Sequence, residues 1–249
     1  MPPTPLHLAV ADDLRQRIIT GDLEPGARLP SRAALAEQHH VSEQVVRRAV
    51  DMLVAEGLLF TQVGARPVVK ARPSVTRLAR GWYQDRPGES PFRATMAAQG
   101  RTGDWIVRSE RTTASERVAE RLGIAADAPV MRSDYTFMAD GRPVMLSTSW
   151  EPLAITAGTP IMLPEQGPYA GKGVVERMAA IEQRITHVEE VNTARPVTAA
   201  EGERLQVTAG TLVMVIERTY ATDAGARVET ADIILPVDRY EVAYVIPVK

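Results

Sequence analysis

The sequence predicts an α+β chain in two parts, a helical head closed by a β-hairpin and a larger domain built on an antiparallel sheet. Three observations carry this. Apolar residues recur at helical spacing in three successive runs before residue 57; strand-like alternation then recurs in seven runs after residue 100; and a stretch with no sustained period separates the two regions. The expected boundaries are a head over 1–72, a linker over 73–89 and a second domain over 90–249.

In the head, Leu6, Val10, Leu14 and Ile18 mark a first helix that Gly21 stops. The segment GDLEPGARLPS carries two prolines and two glycines and reads as a turn. Ser31 is placed to cap a short second helix through Ala33, Leu35 and Ala36, ending near His39. Ser42 then caps a third helix, with Val45, Val46, Ala49, Val50, Leu53 and Val54 on its apolar side and Gly57 as its stop. LLFTQVGARPVVKA alternates apolar and polar residues about Gly64-Ala65, as a hairpin does. Helix, helix-turn-helix and hairpin together make a winged helix-turn-helix.

The linker 73–89 mixes proline, glycine and arginine. Beyond it, strands are expected at DWIVRSERTT, VMRSDYTFM, PVMLSTSW, RITHVEEVNTA, LVMVIERTYAT, ETADIILP and EVAYVIPV, with turns at 139–141 and 223–225 and helical patches near 114–122, 173–182 and 198–205. There is no internal repeat.

Composition narrows the function. The chain has 249 residues and no cysteine, which excludes disulfides, thiolate catalysis and cysteine-based metal sites. His7, His39, His40 and His187 are scattered without metal spacing or a catalytic grouping, so no enzyme, metal or cofactor is expected, and the adjacent His39 and His40 read as surface residues. The N-terminus lacks a signal-peptide pattern and no run approaches the roughly 20 apolar residues of a membrane span, so a cytoplasmic protein without a membrane partner is expected. Net charge is −2; residues 1–72 hold nine Lys/Arg against eight Asp/Glu, the remainder 20 against 23. A nucleic-acid partner would therefore have to meet positive charge concentrated on one face, because phosphate neutralisation supplies much of the affinity.

In a helix-turn-helix the later helix enters the major groove, and near the start of the third helix Gln44 and Arg47 or Arg48 fall on an exposed face. Arginine pairs bidentately with guanine and glutamine with adenine, so these are residue types that read bases. The bland alternative is a solvated helix face.

Residues 14–70, with Gly21, Pro25-Gly26, Leu29-Pro30, Leu35-Ala36, Val41-Ser42, Arg47, Ala49, Leu53 and Glu56-Gly57-Leu58 in register, resemble the DNA-binding domain of the GntR family of bacterial transcription factors. DGRPVMLSTSWEP, VTAAEGERL and TDAGARVETADIILPVDRYEV resemble the UTRA effector domain of its HutC subfamily, which has a chorismate-lyase-like fold enclosing a small-molecule pocket. The resemblance implies a ligand-responsive regulator, a repressor in most relatives, that binds double-stranded operator DNA as a homodimer and is released by a small-molecule effector. A DNA-binding autoregulator with a closed, ligand-independent C-terminal domain is the alternative, and a lyase-like enzyme a remote third.

The resemblance also assigns residues. DNA contacts are expected from Arg32, Ser42, Gln44, Arg47, Arg48, Gly64 and Arg66. Relatives carry Ser-Glu-Arg after Leu-Pro and Ser-Arg-x-Thr at the third helix, where this chain has Ser31-Arg32-Ala33 and Ser42-Glu43-Gln44-Val45. The operator is therefore expected to differ from the common family sequence. In the hairpin the usual Gly-x-Gly-Thr-Phe-Val becomes Gly64-Ala65-Arg66-Pro67-Val68-Val69, giving a basic tip suited to the minor groove. Effector contacts are expected from Tyr135, Phe137, Ser147, Glu229 and Leu235. Sugar-phosphate-binding relatives have arginines where Tyr135 and Phe137 stand, a glutamate at Ser147 and a tyrosine at Leu235, which implies a less acidic, more apolar effector. Glu229 is the expected polar anchor; a salt bridge to Arg132 or Arg227 is its structural alternative.

Overall fold

The computed structural model describes residues 5–61, 65–70, 76–81 and 90–245. They belong to two compact units, Met1–Ser74 and Val75–Lys249. In the first unit α1 (Leu6–Thr20) ends at Gly21, whose φ of 92° supplies the left-handed residue that a helix stop of this kind requires. α2 (Arg32–Gln38) is capped by Ser31, whose hydroxyl accepts from the Ala34 N–H at 3.1 Å. α3 (Glu43–Ala55) is capped in the same way by Ser42, from the Val45 N–H at 3.4 Å.

Between α2 and α3 the left-handed position is taken by His40, at φ 53°, rather than by glycine. His39 is half-buried, with Nε2 3.6 Å from an Asp13 carboxylate oxygen on α1. The reading of both histidines as surface residues therefore holds for exposed His40 alone. Leu14, Leu29, Leu35, Leu53, Val46 and Ala49 are buried together, each large side chain contributing about 1.5–3 kcal/mol by leaving water. Arg15 of α1 forks onto Glu56, at 2.8 and 2.7 Å, and ties the first helix to the end of the third. β1 (Leu59–Phe60) and β2 (Val68–Val69) pair antiparallel, Leu59 opposite Val69.

Residues 73–89, expected as a linker, contain β3 (Thr76–Gly81), which pairs in parallel with β10 (Tyr240–Val245). No alternation in this short stretch announced the strand; the distant β10 supplies its hydrogen bonds. Residues 82–89 lie outside those described. The second unit adds α4 (Pro91–Ala97), β4 (Gly103–Thr113), α5 (Glu116–Leu122), β5 (Pro129–Ala139), β6 (Arg142–Pro152), α6 (Leu153–Thr156), α7 (Val174–Ala179), β7 (Ile185–Pro196), α8 (Ala199–Leu205), β8 (Leu212–Thr222) and β9 (Arg227–Pro236). The β5–β6 turn is made by Asp140 and Gly141, both at positive φ, the tight hairpin that an Asp-Gly pair favours. Strands β4 to β9 form one antiparallel sheet in the order β4-β5-β6-β9-β8-β7.

Strand alternation gives this sheet two different faces. The front carries Tyr135 and Phe137, with α4 packed at one end through Phe92 and Met96 and α7 at the other through Arg177. Gly103 permits the α4 approach: a Cβ there would lie 3.0 Å from Met96 Cγ. The back carries Leu146, Val215 and Ile234 beneath α8, and Thr230 and Asp232 beside α5.

α8 opens with a capping box, Thr198 and Glu201 each accepting from the other's backbone N–H, and Arg195 forks the same carboxylate at 2.6 and 2.7 Å. Those contacts, the arginine's first, hold the Glu201 carboxyl down from its ordinary 4.5 to about 2. A carboxyl lowered by folding stabilises above its unfolded value and loses that contribution as pH falls through the folded one. With Arg195 well exposed, Glu201→Gln is expected to cost about 1 kcal/mol at pH 7, and urea titrations should find the deficit shrinking between pH 4.5 and 2.

Candidate functional site

α3 divides cleanly. Val46, Ala49, Val50 and Leu53 are buried, whereas Glu43, Gln44, Arg47, Arg48 and Asp51 are exposed along the opposite side. Arg47 has a side chain 68% exposed and its Nε lies 3.8 Å from Asp51, one turn on. Such a pair is weak in water and leaves the guanidinium available. Glu43 sits in the first helical turn, where a carboxylate favours the helix dipole, so it has a structural role beside any at DNA. The Ser42 oxygen accepts the cap bond, which leaves its O–H as a donor. Arg32, at the first position of α2, and Arg66 are exposed; Gly64 lies outside the described residues.

The second group lies on the front of the sheet, whose register sets five expected residues on one face. Tyr135 stands opposite Ser147, and Ser147 opposite Ile233. Phe137 lies one rung toward α4, stacked on Tyr135 at 5.3 Å between centroids, with Phe92 at 4.8 Å and Trp105 at 6.2 Å. Leu235 is buried in that same apolar cluster. These two are packed into the core beneath α4, apart from Glu229, which lies near the α7 end. Between the ends the face is lined by small buried residues, Ser133, Ser149 and Ala231, with Ser109 and Ser133 hydroxyls 2.8 Å apart.

Glu229 is fully buried and accepts from Arg218 Nη2 at 2.9 Å. Neither expected partner reaches it. Arg132 points to the back and pairs with Asp134 at 3.0 Å, and Arg227 donates to the carbonyls of Glu120 and Arg121. Arg218 takes the place because Tyr220 pairs with Glu229, which puts residue 218 one rung along on the same face. The other Glu229 oxygen, Oε2, has no hydrogen-bond partner. Burial, then the nearby Glu151 carboxylate, push its carboxyl up, against the pull of Arg218 and Arg177.

Besides Arg218, three residues of this site had no assignment from sequence: Arg177, Glu151 and Glu165. Arg177 of α7 forks Glu151 with two bonds of 2.8 Å and donates to the Ile161 carbonyl, all in the interior. Glu165 accepts from the Tyr135 hydroxyl at 3.1 Å and the Gly171 N–H at 3.0 Å. Burial raises the Glu165 carboxyl, and burial with the adjacent Glu165 raises the Tyr135 hydroxyl. The available signal was Glu151 itself: a carboxylate closing the strand run PVMLSTSWEP needs a partner wherever that strand is buried. Nothing local identified that partner as Arg177.

The arrangement offers an exposed, arginine-bearing helix in one unit and a buried set of acids, arginines and hydroxyls in the other. Comparison with known proteins accounts for the pairing. The bacterial regulatory proteins, gntR family, match residues 6–69, and the UTRA domain matches residues 98–241. An HTH-type transcriptional regulator of Streptomyces coelicolor is 31% identical, over 92% of this chain and 88% of its own length. The chain belongs to the GntR family. It is a DNA-binding transcriptional regulator of the UTRA-containing type. The HTH-type transcriptional repressor NagR of Bacillus subtilis is 25% identical to this GntR-family regulator, over 96% of this chain and 93% of its own. The crystal structure of a GntR-family transcriptional regulator superposes with a TM-score of 0.85 at 46% identity, covering 99% of both chains. PhnF from Mycobacterium smegmatis, at 22% identity and a TM-score of 0.59 over 96% of this chain and all of its own, shares the fold. Among the described residues no helix is long and apolar enough to cross a membrane.

Proposed function

We propose that this GntR-family regulator is a homodimeric repressor that reads a pseudopalindromic operator with α3 and leaves it when an effector occupies the front of the sheet. The exposed row of Gln44, Arg47 and Arg48 carries the DNA half of this reading, since no fold requirement holds these side chains in place. A two-fold dimer implies half-sites about one helical turn apart, roughly 10 base pairs.

The unpaired Glu229 oxygen supports the effector half. A buried acceptor without a partner is costly, and a ligand that donates to it would be favoured in the bound state. With Tyr135 and Phe137 in place of arginines, the effector is a hydrogen-bond donor poorer in negative charge than a sugar phosphate. The test is a gel shift on DNA upstream of the chain's own gene, repeated with a metabolite library. Release by a non-phosphorylated metabolite is expected, and Glu229→Gln should bind the same DNA yet resist release. A shift with no releasing compound, together with no thermal stabilisation by any, would establish the closed, ligand-independent alternative. Absence of any shift would reject the repressor reading.

A further inference from the structure

The back of the sheet holds a cavity of about 410 Å³, within the range of small-molecule sites and separated by the sheet itself from Tyr135 and Glu229. It exists because α5 covers only the Thr230–Asp232 stretch of β9 while α8 covers Leu146 and Val215, leaving a gap between two seven-residue helices. Val215 and Ile234 form an apolar patch in its wall.

The charged lining is graded by depth. Asp232, Glu217 and Glu201 have side chains 21%, 29% and 16% exposed, whereas Arg117 and Arg195 are 57% and 39% exposed. The carboxylates therefore lie deeper and the guanidinium groups form the rim. Arg117 Nη2 bonds Glu217 and lies 3.6 Å from Asp232. Arg195 spends three of its five N–H groups on Glu201 and the Pro196 carbonyl. Arg121, the least exposed of the three arginines, bonds Asp232 and lies 3.7 Å from Glu217, so it holds the inner side of both carboxylates whatever Arg117 does and leaves their outer side to Arg117.

We propose that this cavity is a second binding site, for a free aliphatic α-amino acid. An ammonium would replace the Arg117 guanidinium between Glu217 and Asp232, a carboxylate would engage the released Arg117 and the remaining N–H groups of Arg195, and the side chain would rest on Val215 and Ile234. Exposed ion pairs are weak, so the exchange of partners costs little. A simple amine would leave the arginine rim unanswered and a simple acid would meet the carboxylates, so zwitterionic character is what the lining selects.

The full-length protein is titrated with each of the twenty proteinogenic amino acids by thermal shift, and hits are quantified by calorimetry. At least one of Val, Leu or Ile is expected to bind, its decarboxylated and deaminated analogues binding at least tenfold more weakly. Arg117→Ala, on the exposed rim, should weaken binding at least tenfold, while Glu229→Gln, on the other face, should leave it unchanged. Binding by no amino acid overturns the proposal. So does binding that survives Arg117→Ala but is lost in Glu229→Gln, which would assign the ligand to the front. Conversion of a dimer to monomer by Arg117→Ala in sedimentation would also overturn it, the back face then being covered by a second copy.

Discussion

Arg177→Ala is expected to destabilise the second unit by about 3–5 kcal/mol, the largest effect of any single substitution considered, read as a fall in the urea midpoint at unchanged slope. Arg177 and Glu151 are 3% and 2% exposed, and the guanidinium makes two bonds to the carboxylate and one to Ile161. Truncation strands Glu151 in the interior near Glu229, another acid, with neither water nor counterion to answer it. Replacing both partners, Arg177→Met with Glu151→Leu, should restore stability to within about 1–2 kcal/mol, since desolvation of the pair is then removed along with its attraction. A double variant as unstable as Arg177→Ala would show that the pair's role is packing around Ile161 rather than charge.

Arg47→Ala should leave stability unchanged and weaken operator binding by about 1–3 kcal/mol, roughly 5- to 150-fold in Kd, with relaxed preference at one position of each half-site. Its guanidinium is exposed and only loosely held by Asp51, so nothing in the fold depends on it. The decisive comparison is across sequences and salt. A base contact loses affinity for the operator and little for unrelated DNA, whereas a phosphate contact loses both and reduces the salt slope by about one. Equal affinities for variant and wild type would remove Arg47 from the interface.

These two arginines mark how far the sequence could be read. Arg47 was legible because its neighbours in the chain define its setting: Ser42 starts the helix, Val46, Ala49 and Val50 fix the buried side, and residue 47 falls on the other. Arg177 was not, because its setting comes from Glu151, 26 positions away, and from the Ile161 carbonyl. The same contrast separates the correct turn at Asp140-Gly141 from the strand at Thr76–Gly81, whose partner lies at the far end of the chain. It also explains why Arg218, and not Arg132 or Arg227, meets Glu229: alternation and register decide which face and rung an arginine reaches, and sequence proximity does not.

By itself the sequence determined the two-part organisation, the capped helices of the head, the exposed side of α3 and the strands β4 to β10 of the second domain. The helices depend on capping hydrogen bonds and apolar spacing within a few residues, and the strands show as local side-chain alternation, signals that are present in the chain before any distant contact forms. Only the tertiary structure decided which charges share the interior, that Phe137 and Leu235 pack beneath α4 while Glu229 lies apart, and that the sheet has a cavity on its back. Those outcomes depend on strand register and on where short helices land, which are set by the packing of the whole domain.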